Sequence, residues 1–315
     1  EANGADVTRL YILSNAEHTQ DADWRNDGVE ATRQQVVRFY NLAREIINDQ
    51  EIDELADPEL IDRWMESQLQ KRIIETTEAL EAVQTRRAVQ SAFYHMINDL
   101  RWYQRRGGKN RLRSVLDVWV RLMAPFTPHV CEEIWEEMAG VEAKAFGKDA
   151  YISRAPWPEA DPEKIDAGAE MAEDLLERTL SDVEEIIRVT GRKPARITLF
   201  TTPAWKRAVL KAALEEKEAG SLDVGSIMKK AMALSEVASH KKEAPKYAQR
   251  LMKGAHALNS DPLQIDEFET LSREQRYLER TFSCPVDVLS ADEPGEDPMN
   301  KSKNAEPGRP AIFIE

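Results

Sequence analysis

Between Val29 and Ile47 the apolar residues Val29, Val36, Phe39, Tyr40, Ala43, Ile46 and Ile47 fall on one stripe of a helix. The same period recurs through the first 170 residues and constrains the chain more than any other feature. "GADVTRLYILSNA" places Val7, Leu10, Tyr11 and Ser14 at i, i+3, i+4 and i+7. "ADPELIDRWMESQLQKRIIETTEALEAVQ" carries Leu60, Ile61, Trp64, Ile73, Ile74, Leu80 and Val83 on its stripe. Asp57 is expected to cap that helix, with Pro58 as its first residue. Asn26 or Asp27 is expected to cap the helix before it. "RRAVQSAFYHMINDLRWYQRR" repeats the stripe with Ala88, Val89, Ala92, Phe93, Met96, Ile97 and Leu100. It stops at Gly107-Gly108, where a left-handed C-cap costs little. "RLRSVLDVWVRLMAPFTPHVCEEIWEEMAG" holds two more helices, broken at Pro125 and restarted by Thr127 as cap and Pro128. Such helices must bury their stripes on one another, which makes a bundle.

After "VEAKAFGKDAYISRAPWPEADP" the character changes. Gly and Pro rise there and the period fails, as at a domain boundary. A helix over about 168–189, ending at Gly191, is followed by "ARITLFTT", a short apolar run with β-branched residues. "PAWKRAVLKAALEE" (203–216) reads as a helix, more helices are expected at about 224–236, 242–257 and 264–282, and "CPVDVLS" and the terminal "PAIFIE" read as two more strands. Alternation of Ile312 and Ile314 with Phe313 favours an ordered tail with one buried face. "ADEPGEDPMNKSKNAEPG" between those strands is a polar loop, expected to be mobile. The fold class is mainly α: a helical bundle followed by a small α/β or α+β domain. The divisions are 1–25, a region leading into the bundle; 26–165, the bundle; and 166–315, the second domain.

Charge separates the function classes. The chain has 43 Lys and Arg against 57 Asp and Glu, a formal net charge of −14, which argues against a protein that coats nucleic acid indiscriminately. The positives are nonetheless gathered. "RWYQRRGGKNRLR" holds Arg101, Arg105, Arg106, Lys109, Arg111 and Arg113 and no acid. Residues 186–214 hold seven bases, Arg188, Arg192, Lys193 and Arg196 among them, and no acid. A helix end attracts two or three cations by itself, and six in thirteen residues exceed that need. Guanidinium groups beside Trp102 and Tyr103 suit phosphate binding with base or ribose stacking; Trp102 closing the bundle core is the alternative. The five histidines form no HExxH, and no GxxxxGK[ST] or GxSxG is present. No catalytic constellation is readable, and no metal site. Two distant cysteines without CxxC point to a reducing compartment. No apolar run is long enough to span a membrane, no signal peptide is readable, and the first residues look cut from a longer chain.

"DPELIDRWMESQLQKRIIETTEALEAVQTRRAVQSAFYHMINDLRWYQRR" and "LMAPFTPHVCEEIWEEM" followed by "ISRAPWPEAD" resemble the helical anticodon-binding domain of class Ia aminoacyl-tRNA synthetases. "GADVTRLYIL" resembles the segment after their KMSKS loop, and "SNAEHTQDADWRNDGVEATRQQVVRFYNL" is closest to the leucyl enzymes of archaeal and eukaryotic-cytosolic type. "PGRPAIFIE" resembles the archaeal C-terminus. The resemblance is strong over about 4–160, weak over 165–290 and good again at the tail. HIGH and KMSKS are absent, and "NKSKN" at 300–304 is a lookalike in an acidic loop. The resemblance therefore implies a tRNA-docking portion that is inactive alone, needs no cofactor itself, and serves an upstream catalytic domain using ATP and Mg2+. It implies leucine tRNA as partner, a monomer, and the cytoplasm. It also implies phosphate contacts from the Arg101–Arg113 run and the 188–196 segment, with Arg309, Ile314 and Glu315 at the long variable arm. The rivals are a valyl or isoleucyl enzyme, and a helical interaction scaffold. No 30–45-residue repeat supports the scaffold.

Overall fold

The computed structural model describes residues 4–17, 19–142, 151–191, 193–220, 222–254, 261–297 and 299–315. The chain divides between Ala167 and Gly168 into two units.

In the first unit, α1 (Ala5–Asn15), α2 (Asn26–Asn48), α3 (Leu60–Glu81), α4 (Thr85–Val89), α5 (Met96–Arg105), α6 (Leu112–Met123) and α7 (Pro128–Glu142) form a bundle. A π turn, Gln90–His95, joins α4 to α5 without a break. The expected stripes supply most of the core; Val83 is the exception, lying past the end of α3 and exposed. Phe39 of α2 meets Trp119 of α6 edge-on at 4.5 Å and Phe93 of the π turn at 6.2 Å. The buried Trp119 indole donates to the Ala92 carbonyl within that turn, 2.8 Å away. The polar stretch before α2 is held by Tyr11, whose hydroxyl donates to the Asp23 carbonyl and accepts from the Arg25 N–H.

Three helix starts differ from expectation, and in α3 and α7 a reciprocal or tertiary partner replaces the local cap. Proline disfavours helix at the residue before it, so Asp57 and Pro58 stay outside α3. Glu59 caps instead, in a capping box with Asp62. At α2, Asn26 and Asp27 are already inside the helix, and Asn26 accepts from the Trp24 indole. Thr127 does precede Pro128, but its hydroxyl faces the Met123 carbonyl and the Cys131 thiol. The free Val130 N–H is taken by Asp6 of α1 at 2.8 Å.

Over 151–166 the chain runs as a strap along α3, and the division between the two units falls just after it. Trp157 donates its indole N–H to Thr77, the Asp161 N–H reaches Gln70, and the Asp166 N–H reaches Ser67. Those contacts engage three polar side chains of a helix whose apolar stripe alone was read from sequence.

The second unit is built on a three-stranded sheet of order β2-β1-β3, with β1 (Ile197–Thr201) central, β2 (Val286–Ser290) parallel to it and β3 (Ala311–Ile314) antiparallel. The helices are α8 (Ala167–Thr190), α9 (Ala204–Glu218), α10 (Val224–Ala231), α11 (Ser235–Ala238), α12 (Ala244–Lys253), α13 (Asp261–Gln264), α14 (Glu267–Arg273) and α15 (Gln275–Phe282). All three expected strands are present, so the small domain is α/β in character. The helix expected over 264–282 is instead two short ones on either side of Glu274. One core forms where Trp205, Val209 and Ala213 of α9 meet Ile227, Val237 and Tyr247. The polar loop expected to be mobile is tied down over its described residues: Asp297 caps the 3₁₀ turn Lys301–Asn304 through the Lys301 and Ser302 N–H groups. Lys206 of α9 holds the carbonyls of Lys303 and Ala305. No helix among the described residues is long and apolar enough to cross a membrane.

Candidate nucleic-acid interface

The basic run begins on the last turn of α5 and is shaped by its end. The Gly107 N–H bonds the Gln104 carbonyl and the Gly108 N–H bonds the Tyr103 carbonyl, with φ +88° at Gly107. This is the double bond of a Schellman motif, and glycine supplies the left-handed residue as the sequence suggested. A buried relay fixes the turn between α5 and α6. The Tyr103 hydroxyl donates to Asp62, the same carboxylate that closes the α3 capping box, and it accepts from the Arg111 N–H at 3.0 Å. Burial and the Asp62 carboxylate push the Tyr103 phenol above its usual range, so it stays a donor.

The six positives do not act alike. Arg101 and Arg105 are exposed and Arg106 is half-buried. Lys109 reaches Glu51 at 3.1 Å on the surface. Arg111 turns inward: its guanidinium donates to the carbonyls of Glu54 and Ala56, and its Nε lies 3.0 Å from Glu66, leaving the side chain 11% exposed. Arg113 donates to the Asp49 carbonyl. Both expected phosphate ligands are thus spent on fixing the 49–56 loop, because the carbonyls after α2 need donors. Trp102 is buried, with the Arg105 guanidinium 5.8 Å from its ring centre, so the core-closing alternative holds for the indole.

In the second unit the surplus of bases is balanced by acids, one on the same helix turn and the others from distant segments. Arg188 pairs with Glu185, Arg196 with Asp287, Lys206 with Glu306 and Arg207 with Glu267. Lys193 is exposed, and Arg192 lies outside the described residues. Arg309 grips Asp182 with two nitrogens at 2.8 and 2.9 Å. The tail is ordered. The Ala195 N–H donates to the Glu315 carbonyl at 2.8 Å and the Glu315 N–H to the Arg196 carbonyl at 3.0 Å. Ile312, Phe313 and Ile314 are all half-buried rather than alternating, because β3 is an edge strand partly covered on both faces. Glu315 itself is exposed.

A helical bundle with arginines gathered at a capped helix end presents cations to an anionic partner. An anticodon-binding domain of tRNA ligase matches residues 62–201. Over 99% of its length the chain is 63% identical to a leucine–tRNA ligase of Methanothrix thermoacetophila, and it is 47% identical over 100% to that of Methanosarcina acetivorans. It is 40% identical over 100% to that of Pyrococcus horikoshii. The chain belongs to the leucine–tRNA ligase family and spans about a third of these relatives' length, 31–33%. A solved ternary complex described as LeuRS-tRNA-LeuAMS, from Agrobacterium radiobacter K84, aligns with 52% of this chain and 20% of that one at 24% identity and a TM-score of 0.43, a partial overlap only.

Proposed function

We propose that this chain is the portion of a leucine–tRNA ligase that docks the leucine tRNA and delivers its 3′ end to a catalytic domain outside these residues. The single observation that carries the reading is the whole-length identity to leucine–tRNA ligases, with an anticodon-binding domain of tRNA ligase inside it. Fixing the acceptor end beside an activated amino acid makes transfer effectively unimolecular, a gain of several kcal/mol. ATP and Mg2+ would act in the catalytic domain. Among the described residues no three His, Cys, Asp or Glu side chains converge where a metal ion could sit, so no step through that pair is assigned here. The catalytic domain is the intramolecular partner, the protein acts as a monomer, and the cytoplasm is its compartment.

Arg101, Arg105, Arg106 and Lys109 hold backbone phosphates at the end of α5, while Arg111 and Arg113 keep the turn in shape. Arg188, Arg196 and Arg309 sit in exposed pairs, which contribute little to stability, so exchange of a carboxylate partner for a phosphate costs little. Lys193, which is exposed, is a further candidate phosphate ligand, and Arg192 is retained as one from the sequence alone. The Glu315 backbone is spent on Ala195 and Arg196, which leaves its side-chain carboxylate to accept from base amino or imino groups of the variable arm, beside Ile314.

The test is filter binding of leucine tRNA to the chain at several salt concentrations. Arg105→Ala with Arg106→Ala should weaken binding and flatten the log–log salt slope by about one unit per lost phosphate contact. Deleting Ile314 and Glu315 should instead weaken long-armed tRNAs selectively. No binding by the intact chain would overturn the reading; equal loss for short-armed tRNAs would overturn the role of the tail.

A further inference from the structure

Two helix stripes face each other across a groove in the first unit. On α2, Gln35, Arg38 and Leu42 recur at three- and four-residue spacing; on the π turn and α5, Tyr94, Asn98, Arg101 and Gln104 do the same. Between them lies a cavity of about 310 Å³, floored by Phe39, Leu100 and Trp119. That volume is at the lower end of the roughly 300–1,000 Å³ of small-molecule sites, enough for one base or nucleoside and too little for a stem.

The chemistry of the walls is unusual for this chain. With a net charge of −14 overall, no residue lining this cavity is acidic. Arg38 and Arg101 are exposed, and neither has an ion-pair partner among the described residues. Asn98 and Gln104 are exposed amides, each offering both donors and an acceptor. Tyr94 closes one end, its hydroxyl donating to Gln35 at 3.4 Å across the groove. It stands in the π turn, a distortion of the kind often found at functional sites. The floor is apolar and aromatic, the rim carries two unspent guanidinium groups, and the walls carry amides. A base needs a dry face to lie against and hydrogen-bonding partners for its edge, while its flanking phosphates need cations.

We propose that this cavity holds a single unstacked nucleotide of the bound RNA. The base lies against the half-buried Leu42, Tyr94 and Ile97, above the buried Phe39 and Trp119 rings, with its edge read by Asn98 and Gln104, and Arg38 and Arg101 take the adjacent phosphates. The assignment rests on the RNA-docking reading and adds to it a site on α2 that no basic run in the sequence announces, since Arg38 stands alone in "VVRFY".

The experiment is base-specific chemical probing of a leucine tRNA transcript with and without the chain, run beside filter binding. Intact chain should protect the edge of one unpaired base. Asn98→Ala with Gln104→Ala should lose that protection and weaken binding about tenfold, within the range for loss of one stacked, read base. Arg38→Ala and Arg101→Ala should each lower the salt slope by about one unit. All four side chains are exposed, so the melting curves should match wild type. If the intact chain binds tRNA but the amide variant protects the same bases with the same affinity, the nucleotide site is overturned while the docking reading stands. If arginine variants flatten the slope with no base ever protected, the groove carries phosphates alone and the proposal is likewise overturned. If the intact chain binds no tRNA, both fall, and the groove is left as a seat for another protein segment.

Discussion

Replacing Lys206 by methionine should loosen the second unit by about 3 kcal/mol, the largest single-residue loss expected there. Lys206 is 4% exposed and lies in the first turn of α9. Its ammonium donates to the carbonyls of Lys303 and Ala305 at 2.8 and 2.6 Å and to the Glu306 carboxylate at 3.0 Å. Methionine fills nearly the same space, so the cavity cost is small and the polar cost remains. Two carbonyls lose a buried donor, at roughly 1–3 kcal/mol for an unsatisfied group. Glu306 keeps Arg250 and some water, which holds the total below the sum. The residues held by Lys206 lead directly into β3, so the loss should be read by hydrogen exchange: amides of Ala311–Ile314 should exchange faster than those of α8. Lys211→Met, at an exposed position, is the control and should change stability by no more than about 0.5 kcal/mol. Unchanged exchange in β3 would show that the 303–306 segment is held by something other than this lysine.

That residue also shows where sequence reading stops. Lys206 belongs to a run of seven bases without an acid, which reads as an open basic face. In the fold it is buried, and Arg188, Arg196 and Arg207 are paired. Charge counted along the chain misses partners such as Asp287, Glu267 and Glu306, which approach from distant segments. Periodicity is local, so it survives folding: the stripes of α2, α3 and α5 and the three strands were legible. Glycine's left-handed role at Gly107 is local too. Asp57 was misread because a capping box needs a partner three residues on, and the Glu59–Asp62 pair competes better beside a proline. The groove between α2 and α5 was half legible. Arg101 stood out in a basic run, but Arg38, Asn98 and Gln104 become a set only when two helices are laid side by side.

Gly108→Ala should cost the first unit about 3 kcal/mol, whereas Gly107→Ala, one residue earlier, should cost only about 1–2 kcal/mol. The two glycines are there for different reasons. Gly107 needs its positive φ, and a methyl there meets nothing within 4 Å, so only backbone strain is at stake. Gly108 has no such constraint, but a methyl would stand 2.1 Å from Cε2 of Tyr103. That ring has no room to yield. It is fully buried, and its hydroxyl is held between Asp62 and the Arg111 N–H. Moving it breaks a buried hydrogen bond to a carboxylate; leaving it displaces the turn that carries Arg106 and Lys109. Denaturant unfolding of the four members of a Gly108→Ala and Tyr103→Leu cycle separates these causes. If the ring is the obstacle, Gly108→Ala should cost at least about 1 kcal/mol less in the Tyr103→Leu background. Additive losses would mean that glycine is required at position 108 for the backbone, as at 107, and that the phenol relay does not set the shape of the turn.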